Sequence, residues 1–127
     1  MLEDKMYKLN VTSHFASAHK LLGYEGLCKN LHGHNWKVRV GIECQNTDEI
    51  GMTIDFGDVK QALNDIMEVL DHSYLNDLEP FRVDNPTSEN IAKYIYKEMK
   101  TKIAVEGCKI EDVEVWESER SSMVYFE

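Results

Sequence analysis

Cysteine is scarce in this sequence, and its number is odd. The 127 residues contain three cysteines and no Cys-x-x-Cys pair, which argues against a disulfide framework and for a reducing compartment. Cys44 and Cys108 have no nearby partner in sequence, and we expect both to be small buried residues. No apolar run approaches the roughly 20 residues that span a bilayer, and nothing at Met1 resembles a signal peptide. We therefore expect a cytoplasmic protein without a membrane partner.

Positive charge is also in short supply. The chain has 14 lysines and arginines against 23 acidic residues, a net charge of −9, whereas nucleic-acid binding depends on basic contacts to phosphate. We therefore expect no nucleic-acid partner. Residues 20–42 differ from the rest, because they hold four basic residues and one acid: Lys20, Lys29, Lys37 and Arg39 against Glu25. Either this basic stretch attracts a small anionic ligand, or its side chains only cover the solvent face of a strand.

Linker-like segments are missing as well. The sequence has two prolines, no internal repeat and no low-complexity tract. Its length is that of one ordinary domain that can bury its own core. We therefore expect residues 1–127 to form a single domain.

Apolar and polar residues alternate in two long stretches. Residues 6–19 carry their apolar side chains at odd positions, and residues 32–44 carry histidine or apolar side chains at even positions. This spacing predicts β-strands with one buried face. In the first strand the parity puts His19 on the buried face and His14 on the other, provided that no bulge intervenes. Shorter alternations predict a second hairpin from strands at residues 109–117 and 122–126.

Two stretches between these hairpins show helical spacing. The first runs from about residue 57 to residue 70, after a short extended piece at residues 50–56, and Asp55 is positioned as its N-cap. The second opens at residues 85–88, where Thr87 or Ser88 can cap it, and Gly107 is its expected stop. The order ββααββ predicts an α+β fold, an antiparallel sheet with two helices on one face. Oligomerisation would cover the two open edges of such a sheet.

Histidines at positions 32 and 34 are the most informative residues of the chain. Two imidazoles at this spacing on a strand project from the same face, and here that face is apolar, so each ring needs a partner other than water. A transition metal, zinc above all, would satisfy both rings, and His19 is in range as a third ligand. Three nitrogens leave the fourth zinc position open, as in catalytic sites. The alternative is that a separate hydrogen bond satisfies each histidine.

Three further groups have chemical potential. Cys28 is either a fourth metal ligand, a reactive thiol beside the metal, or a small buried residue without a chemical role. Asp71 can orient the neighbouring His72 as a general acid or base, although such pairs also occur at polar helix ends. Glu117 continues the inward parity of its strand, where a carboxylate needs a partner such as a ligand edge with two N–H donors. A register shift at the strand end would instead turn Glu117 to solvent.

Six short motifs, taken in order, resemble the 6-pyruvoyltetrahydropterin synthase / 6-carboxytetrahydropterin synthase family. The resemblance covers nearly the whole chain. Its central motif, CKNLHGH at residues 28–34, has the Cys-x3-His-Gly-His pattern of the family. The other five are FASAH at residues 15–19, IDF at 54–56, LDHSYLN at 70–76, NPTSEN at 85–90 and VWES at 115–118.

This resemblance implies a tunnelling fold, ββααββ in each subunit, with trimers that close a twelve-stranded barrel and stack in pairs as hexamers. It implies active sites at subunit interfaces and 7,8-dihydroneopterin triphosphate as the substrate. The motif spacing favours the bacterial branch, which eliminates triphosphate and releases acetaldehyde to leave 6-carboxy-5,6,7,8-tetrahydropterin, a precursor of queuosine and other 7-deazapurines. The alternatives are the 6-pyruvoyl branch and a group that makes 6-hydroxymethyl-7,8-dihydropterin, whose members carry a glutamate near or in place of the cysteine.

The resemblance also implies a role for each motif. The histidines hold zinc, the cysteine is a general base with the Asp–His pair as its partner in proton transfer, and the strand carboxylate anchors the pterin ring. Two lysines are expected at the triphosphate from local charge alone. A hypothesis of another class, a zinc-stabilised binding or assembly module without catalysis, stays open. The residues are His19, His32 and His34 for zinc, Cys28, Asp71 and His72 for proton transfer, Glu117, Thr87 and Ser88 for the ring, and Lys20 and Lys29 for the phosphates.

Overall fold

A computed structural model describes residues 6–23 and 30–127. Along the chain, one pair of strands precedes two α-helices and a second pair follows them, which is the predicted order ββααββ. No helix within these ranges is long and apolar enough to cross a membrane. The elements are β1 (Met6–His19), β2 (His32–Gln45), α1 (Phe56–Leu70), α2 (Ser88–Lys102), β3 (Cys108–Ser118) and β4 (Ser121–Phe126), with short 3₁₀ helices at Leu75–Asp77 and Glu79–Phe81.

The four strands form one antiparallel sheet in the order β1-β2-β3-β4. β1 pairs with β2 without interruption, from Met6 opposite Gln45 to His19 opposite His32. Because no bulge shifts this register, the predicted parity is confirmed: His19 is buried and His14 is exposed.

Both helices lie on one face of the sheet, as predicted. α1 packs against β1, whereas α2 packs against β3 and β4. Trp36 fills the middle of this layer with no exposed surface, and burying an apolar side chain of this kind contributes about 1.5–3 kcal/mol. The apolar stripes that face the sheet include Val59, Leu63, Ile66 and Leu70 of α1 and Ile91, Ile95 and Met99 of α2.

Both helix starts are confirmed, but the predictions for the residues before α1 and for the end of α2 are wrong. Asp55 caps α1 by accepting a hydrogen bond from the Gly57 N–H. The residues before it form turns instead of an extended piece, because the Asp48 carboxylate accepts from the backbone N–H groups of residues 50 and 52 and curls the chain. α2 ends at Lys102, well before its expected stop. Gly107 instead has a φ of 82° in the turn into β3, a conformation that favours glycine.

Candidate metal centre

One end of the β1–β2 pair brings three histidines together. His19 ends β1 and lies opposite His32, which begins β2, and His34 follows on the same face. The centroids of the three rings are 4.5–5.3 Å apart. Glu117, near the end of β3, completes the cluster, and one ligand atom from each residue lies within 4.8 Å of the others. The predicted inward direction of Glu117 is therefore confirmed.

Backbone carbonyls fix the orientation of two of these rings. Nδ1 of His19 lies 2.7 Å from the Pro86 carbonyl oxygen, and Nδ1 of His32 lies 2.7 Å from that of Asn30. A carbonyl can only accept, so each Nδ1 carries the proton and each Nε2 of a neutral ring keeps a lone pair. The two Nε2 atoms are 2.9 Å apart, a distance that requires a shared proton or cation. This arrangement is typical of metal-binding histidines, whose other nitrogen donates to a carbonyl.

The third ring, that of His34, differs from the other two at its Nε2 atom. Nε2 of His34 is buried without a hydrogen-bond partner among the described residues, although Oε1 of Glu117 lies 2.9 Å away in an electrostatic contact. The same oxygen is 3.9 Å from Nε2 of His19 and 4.0 Å from Nε2 of His32. A buried nitrogen left in this state costs free energy unless a metal ion takes its lone pair. Three imidazoles and one carboxylate fit a divalent transition metal such as Zn²⁺ or Fe²⁺.

Trp36 forms the inner wall of the cluster. Its ring lies edge-on to His19 and His34, at centroid distances of 5.0 and 5.2 Å, and stacks on Phe15 at 5.6 Å. His19 is only 1% exposed. Burial disfavours the imidazolium ion, so it lowers the pKa of His19 and the pKa of His34. Both rings are therefore neutral lone-pair donors at neutral pH.

Asp71 and His72 form the predicted pair outside this cluster. The Asp71 carboxylate accepts from the Ala16 N–H through Oδ1 and from His72 Nδ1 through Oδ2, each at 2.7 Å. The hydrogen bond from Ala16, and after it that from His72, lowers the pKa of Asp71. The His72 side chain is 83% exposed. The pair thus presents an oriented imidazole to the surface of its own chain.

Three consecutive residues at the start of α2 support the cluster in different ways. The Pro86 carbonyl orients His19, and the Ser88 hydroxyl donates to Oε2 of Glu117 at 3.2 Å. The Thr87 hydroxyl instead accepts from the backbone N–H of residue 90 and caps the helix. Ser88 therefore touches the predicted site directly, whereas Thr87 supports it by holding the helix start.

The described basic residues of β2 do not converge on the cluster. Lys37 and Arg39 belong to the odd parity of β2 and lie on the opposite face of the sheet from the histidines. Nζ of Lys37 sits 4.8 Å from the centre of the Trp116 ring, and Arg39 pairs with Asp112 and Glu114 at 3.0 and 3.1 Å. For these two residues the structure favours the interpretation of a solvent-facing strand surface. Attraction of an anionic ligand by Lys20 and Lys29 stays a prediction.

Three further predicted site residues, like Asp71 and His72, have no described contact with the cluster. Lys20 follows β1 and is exposed. Cys28 and Lys29 lie outside the described residues. The role of Cys28 as general base and those of Lys20 and Lys29 at the triphosphate stay predictions.

Two asparagines near the site escaped the sequence analysis as functional residues. Asn76 accepts from the Lys20 N–H at 2.9 Å and donates to the Lys20 carbonyl at 2.7 Å. Asn85 likewise accepts from the Leu22 N–H at 3.0 Å and donates to the Leu22 carbonyl at 2.7 Å. Each side-chain amide bonds the N–H and the carbonyl of one residue, as a neighbouring strand would, and so fixes the chain just beyond His19. Both asparagines stand within the motifs at residues 70–76 and 85–90, but nothing in the sequence signals which backbone they bind.

The sequence profile of the family described as 6-pyruvoyl tetrahydropterin synthase matches residues 8–127. The chain belongs to this family. A 6-carboxy-5,6,7,8-tetrahydropterin synthase of Synechocystis sp. is 37% identical over 117 residues, covering 88% of this chain and 87% of the relative. A protein of the same name from Rickettsia bellii is 32% identical over 115 residues, covering 77% of this chain and 83% of the relative.

Solved structures of the family share the fold. The 6-pyruvoyl tetrahydropterin synthase of Caenorhabditis elegans superposes with a TM-score of 0.85 at 24% identity, over 100% of this chain and 99% of that protein. The likeness confirms the ββααββ tunnelling fold that the family motifs predict.

The metal-free protein should lose stability as the pH falls from about 7 to about 5. The folded state lowers the pKa of His19 and His34, whereas unfolded histidines titrate near 6.5. Acid therefore protonates the unfolded chain first and favours unfolding, and the contribution to stability is complete only above the unfolded pKa. Urea midpoints of chelator-treated protein at about pH 7.5 and pH 5.5 measure the effect.

Two variants test the source of this pH dependence. His34→Leu keeps most of the side-chain volume but cannot be protonated, so its urea midpoint should change less between the two pH values. His14→Ala, at an exposed histidine of β1, is the control and should behave as the unmodified protein does. Equal pH dependence in His34→Leu and the unmodified protein would contradict the assignment.

Proposed function

We propose that this chain is a zinc-dependent lyase acting on 7,8-dihydroneopterin triphosphate. The products are 6-carboxy-5,6,7,8-tetrahydropterin, acetaldehyde and triphosphate, and the reaction belongs to queuosine and 7-deazapurine biosynthesis in the cytoplasm. The observation that carries the proposal is the convergence of three histidine nitrogens and one carboxylate in a chain of this family. The 6-carboxy names of relatives at 32–37% identity favour this product over the 6-pyruvoyl one.

The three histidines would hold the metal through their Nε2 atoms. The neutral state of the buried rings supports this role, because metal ligands must be unprotonated. The carbonyls of Pro86 and Asn30 keep two of the lone pairs directed into the site. A bound zinc ion supplies Lewis acidity to the side-chain oxygens of the substrate, which makes the neighbouring C–H and O–H protons more acidic.

Glu117 is the substrate-binding carboxylate in this proposal. Its Oε1 faces the histidines and its Oε2 accepts from Ser88, so the carboxylate lies between the metal-binding cluster and the start of α2. A pterin ring edge with two adjacent N–H donors would pair with both oxygens of this group. Such pairing replaces the contacts to His34 and Ser88, and Thr87 contributes by capping the helix that carries Ser88.

Proton transfer requires groups that the cluster itself lacks. We assign Cys28 as the general base on the family resemblance alone. His72 donates from Nδ1 to Asp71 and keeps Nε2 for exchange with a substrate proton. Because this imidazole is 83% exposed on its own chain, it suits a site shared with a neighbouring subunit. Lys20 and Lys29, which flank residues 21–28 in the sequence, are the proposed contacts of the triphosphate.

The zinc-loaded protein should convert 7,8-dihydroneopterin triphosphate to 6-carboxytetrahydropterin and acetaldehyde, with the product identified by mass spectrometry. Cys28→Ala should lower kcat by at least about 100-fold, because general base catalysis is lost, and should retain a full equivalent of metal. Cys108→Ala, at the end of the sheet opposite the histidine cluster, is the thiol control. A 6-pyruvoyl or 6-hydroxymethyl product would assign the chain to another branch, and full activity of Cys28→Ala would remove the cysteine from the mechanism.

Chelation should abolish turnover and leave the protein folded. The hydrophobic core between the sheet and the helices extends far beyond Trp36, the core residue that contacts the histidines, so we expect the fold to persist without the ion. A non-catalytic module with Cys28 as a fourth ligand has the opposite behaviour, since removal of a structural zinc unfolds small domains. Thermal melting by circular dichroism, with and without chelator, separates the two hypotheses.

We also propose that copies of the chain assemble as trimers that pair as hexamers. β1 and β4 are the open edges of the sheet, and both expose large apolar side chains. Edges of this kind favour pairing with another chain. Light scattering should give three or six times the chain mass of 14.7 kDa, and a monomer at micromolar concentration would contradict the proposal. The exposed apolar residues are Met6 and Tyr7 on β1 and Met123, Val124 and Phe126 on β4.

A further inference from the structure

Two cysteines face each other at the end of the sheet farthest from the histidines. Cys44 of β2 is the register partner of Cys108, the first residue of β3. In the next pair along, the Gln45 N–H donates to the Gly107 carbonyl at 2.8 Å. Hydrogen-bonded and non-hydrogen-bonded pairs alternate along an antiparallel ladder, so the two cysteines form a non-hydrogen-bonded pair. Residues in such a pair have Cα atoms about 4.5 Å apart and side chains that approach closely.

The two cysteines are cross-strand neighbours and differ in their access to solvent. Both side chains pack with the hydrophobic core on the helix-bearing face of the sheet. Cys44 has no exposed surface, whereas Cys108 is half-buried and lines a surface cleft of about 270 Å³ with Glu43, Gln45 and Lys109. A reagent in solvent therefore meets Cys108 first, with Cys44 directly behind it.

We propose that Cys44 and Cys108 form an oxidisable dithiol that closes to an intramolecular disulfide. The Cα separation of a non-hydrogen-bonded pair lies at the short end of the range that disulfides span. Because the two residues are direct register partners and their side chains leave the sheet on the same face, the bond requires no change of register. This inference concerns a site at the opposite end of β2 from His32 and His34, and it does not depend on the proposed lyase activity.

A small disulfide such as oxidised glutathione is the oxidant in this reaction. The Cys108 thiolate attacks one of its sulfur atoms, forms a mixed disulfide and releases one small thiol. The Cys44 thiolate then attacks the Cys108 sulfur, displaces the second small thiol and completes the protein disulfide. Two protein thiols are oxidised, one small disulfide is reduced to two thiols, and the two protein protons pass to the departing thiolates.

The environment of the pair makes this exchange slow at neutral pH. Burial, and after it the neighbouring Cys44 thiol, raise the pKa of Cys108 to about 12, so little of the reactive thiolate is present. The dithiol therefore persists under reducing conditions and closes under sustained oxidation, faster at alkaline pH. Once closed, the bond links two strands whose cysteines are far apart in sequence, which restricts the unfolded chain and stabilises the fold.

The full chain with Cys28→Ala tests the proposal, because only the paired thiols remain. After exposure to oxidised glutathione at about pH 8.5, the protein should be alkylated under denaturing conditions and measured by intact mass spectrometry. We expect two alkylatable thiols to fall to none, a mass loss of about 2 Da per chain, and a linked Cys44–Cys108 peptide. The melting temperature should rise by several degrees, with the zinc content unchanged.

Two double variants make the test specific. With Cys28→Ala and Cys44→Ala, Cys108 should stop at the mixed disulfide with one bound glutathione. With Cys28→Ala and Cys108→Ala, the buried Cys44 should stay unmodified in the folded protein. Two free thiols in the Cys28→Ala protein after prolonged oxidation, or disulfide-linked dimers in place of the internal bond, would overturn the proposal.

Discussion

The uninterrupted pairing of β1 with β2 is the constraint on which the candidate site depends. His19 and His32 lie on either side of the connection between these strands, and only the register places them opposite each other. A slip of one residue would turn His19 to the other face of the sheet. The connection between α1 and α2 holds the same end of β1 from its outer side, through backbone hydrogen bonds of His72 and Ser73 to β1, and Asn76 and Asn85 hold the residues just after it. The strand end that carries the first histidine is thus fixed from both edges.

Desolvation links the fold to the chemistry of the site. Trp36 belongs to the hydrophobic core and also walls the cluster, so the packing that stabilises the sheet keeps the adjacent imidazoles neutral. A neutral ring whose Nδ1–H donates to a carbonyl has one remaining polar group, the lone pair of Nε2. The start of α2 supplies one such carbonyl and also the hydroxyl that holds Glu117. Core packing, ring orientation and the availability of the Nε2 lone pairs therefore have common causes.

The accuracy of the sequence-based predictions follows the range of the interactions involved. Alternation and helical spacing are local, and they predicted all six regular elements and the burial of His19. The turns before α1 were missed because the Asp48 side chain competes with extended backbone. The charge count in residues 20–42 did not reveal that Lys37 and Arg39 point away from the histidines, because it ignores which face of β2 each side chain occupies. Arg39 meets its acidic partners across the ladder, and no count along the chain reveals them.

The amino-acid sequence by itself determined the order of the elements, the N-cap of α1, the family and the three histidines, since periodicity and motif spacing are properties of short segments. The tertiary structure decided where Glu117 and Ser88 meet those histidines, which carbonyls orient the rings, and that the His72 imidazole is exposed. It also decided that Cys44 lies against Cys108. These relations join residues far apart in the chain, and only the packing of helices on a sheet of defined register brings their atoms within bonding distance.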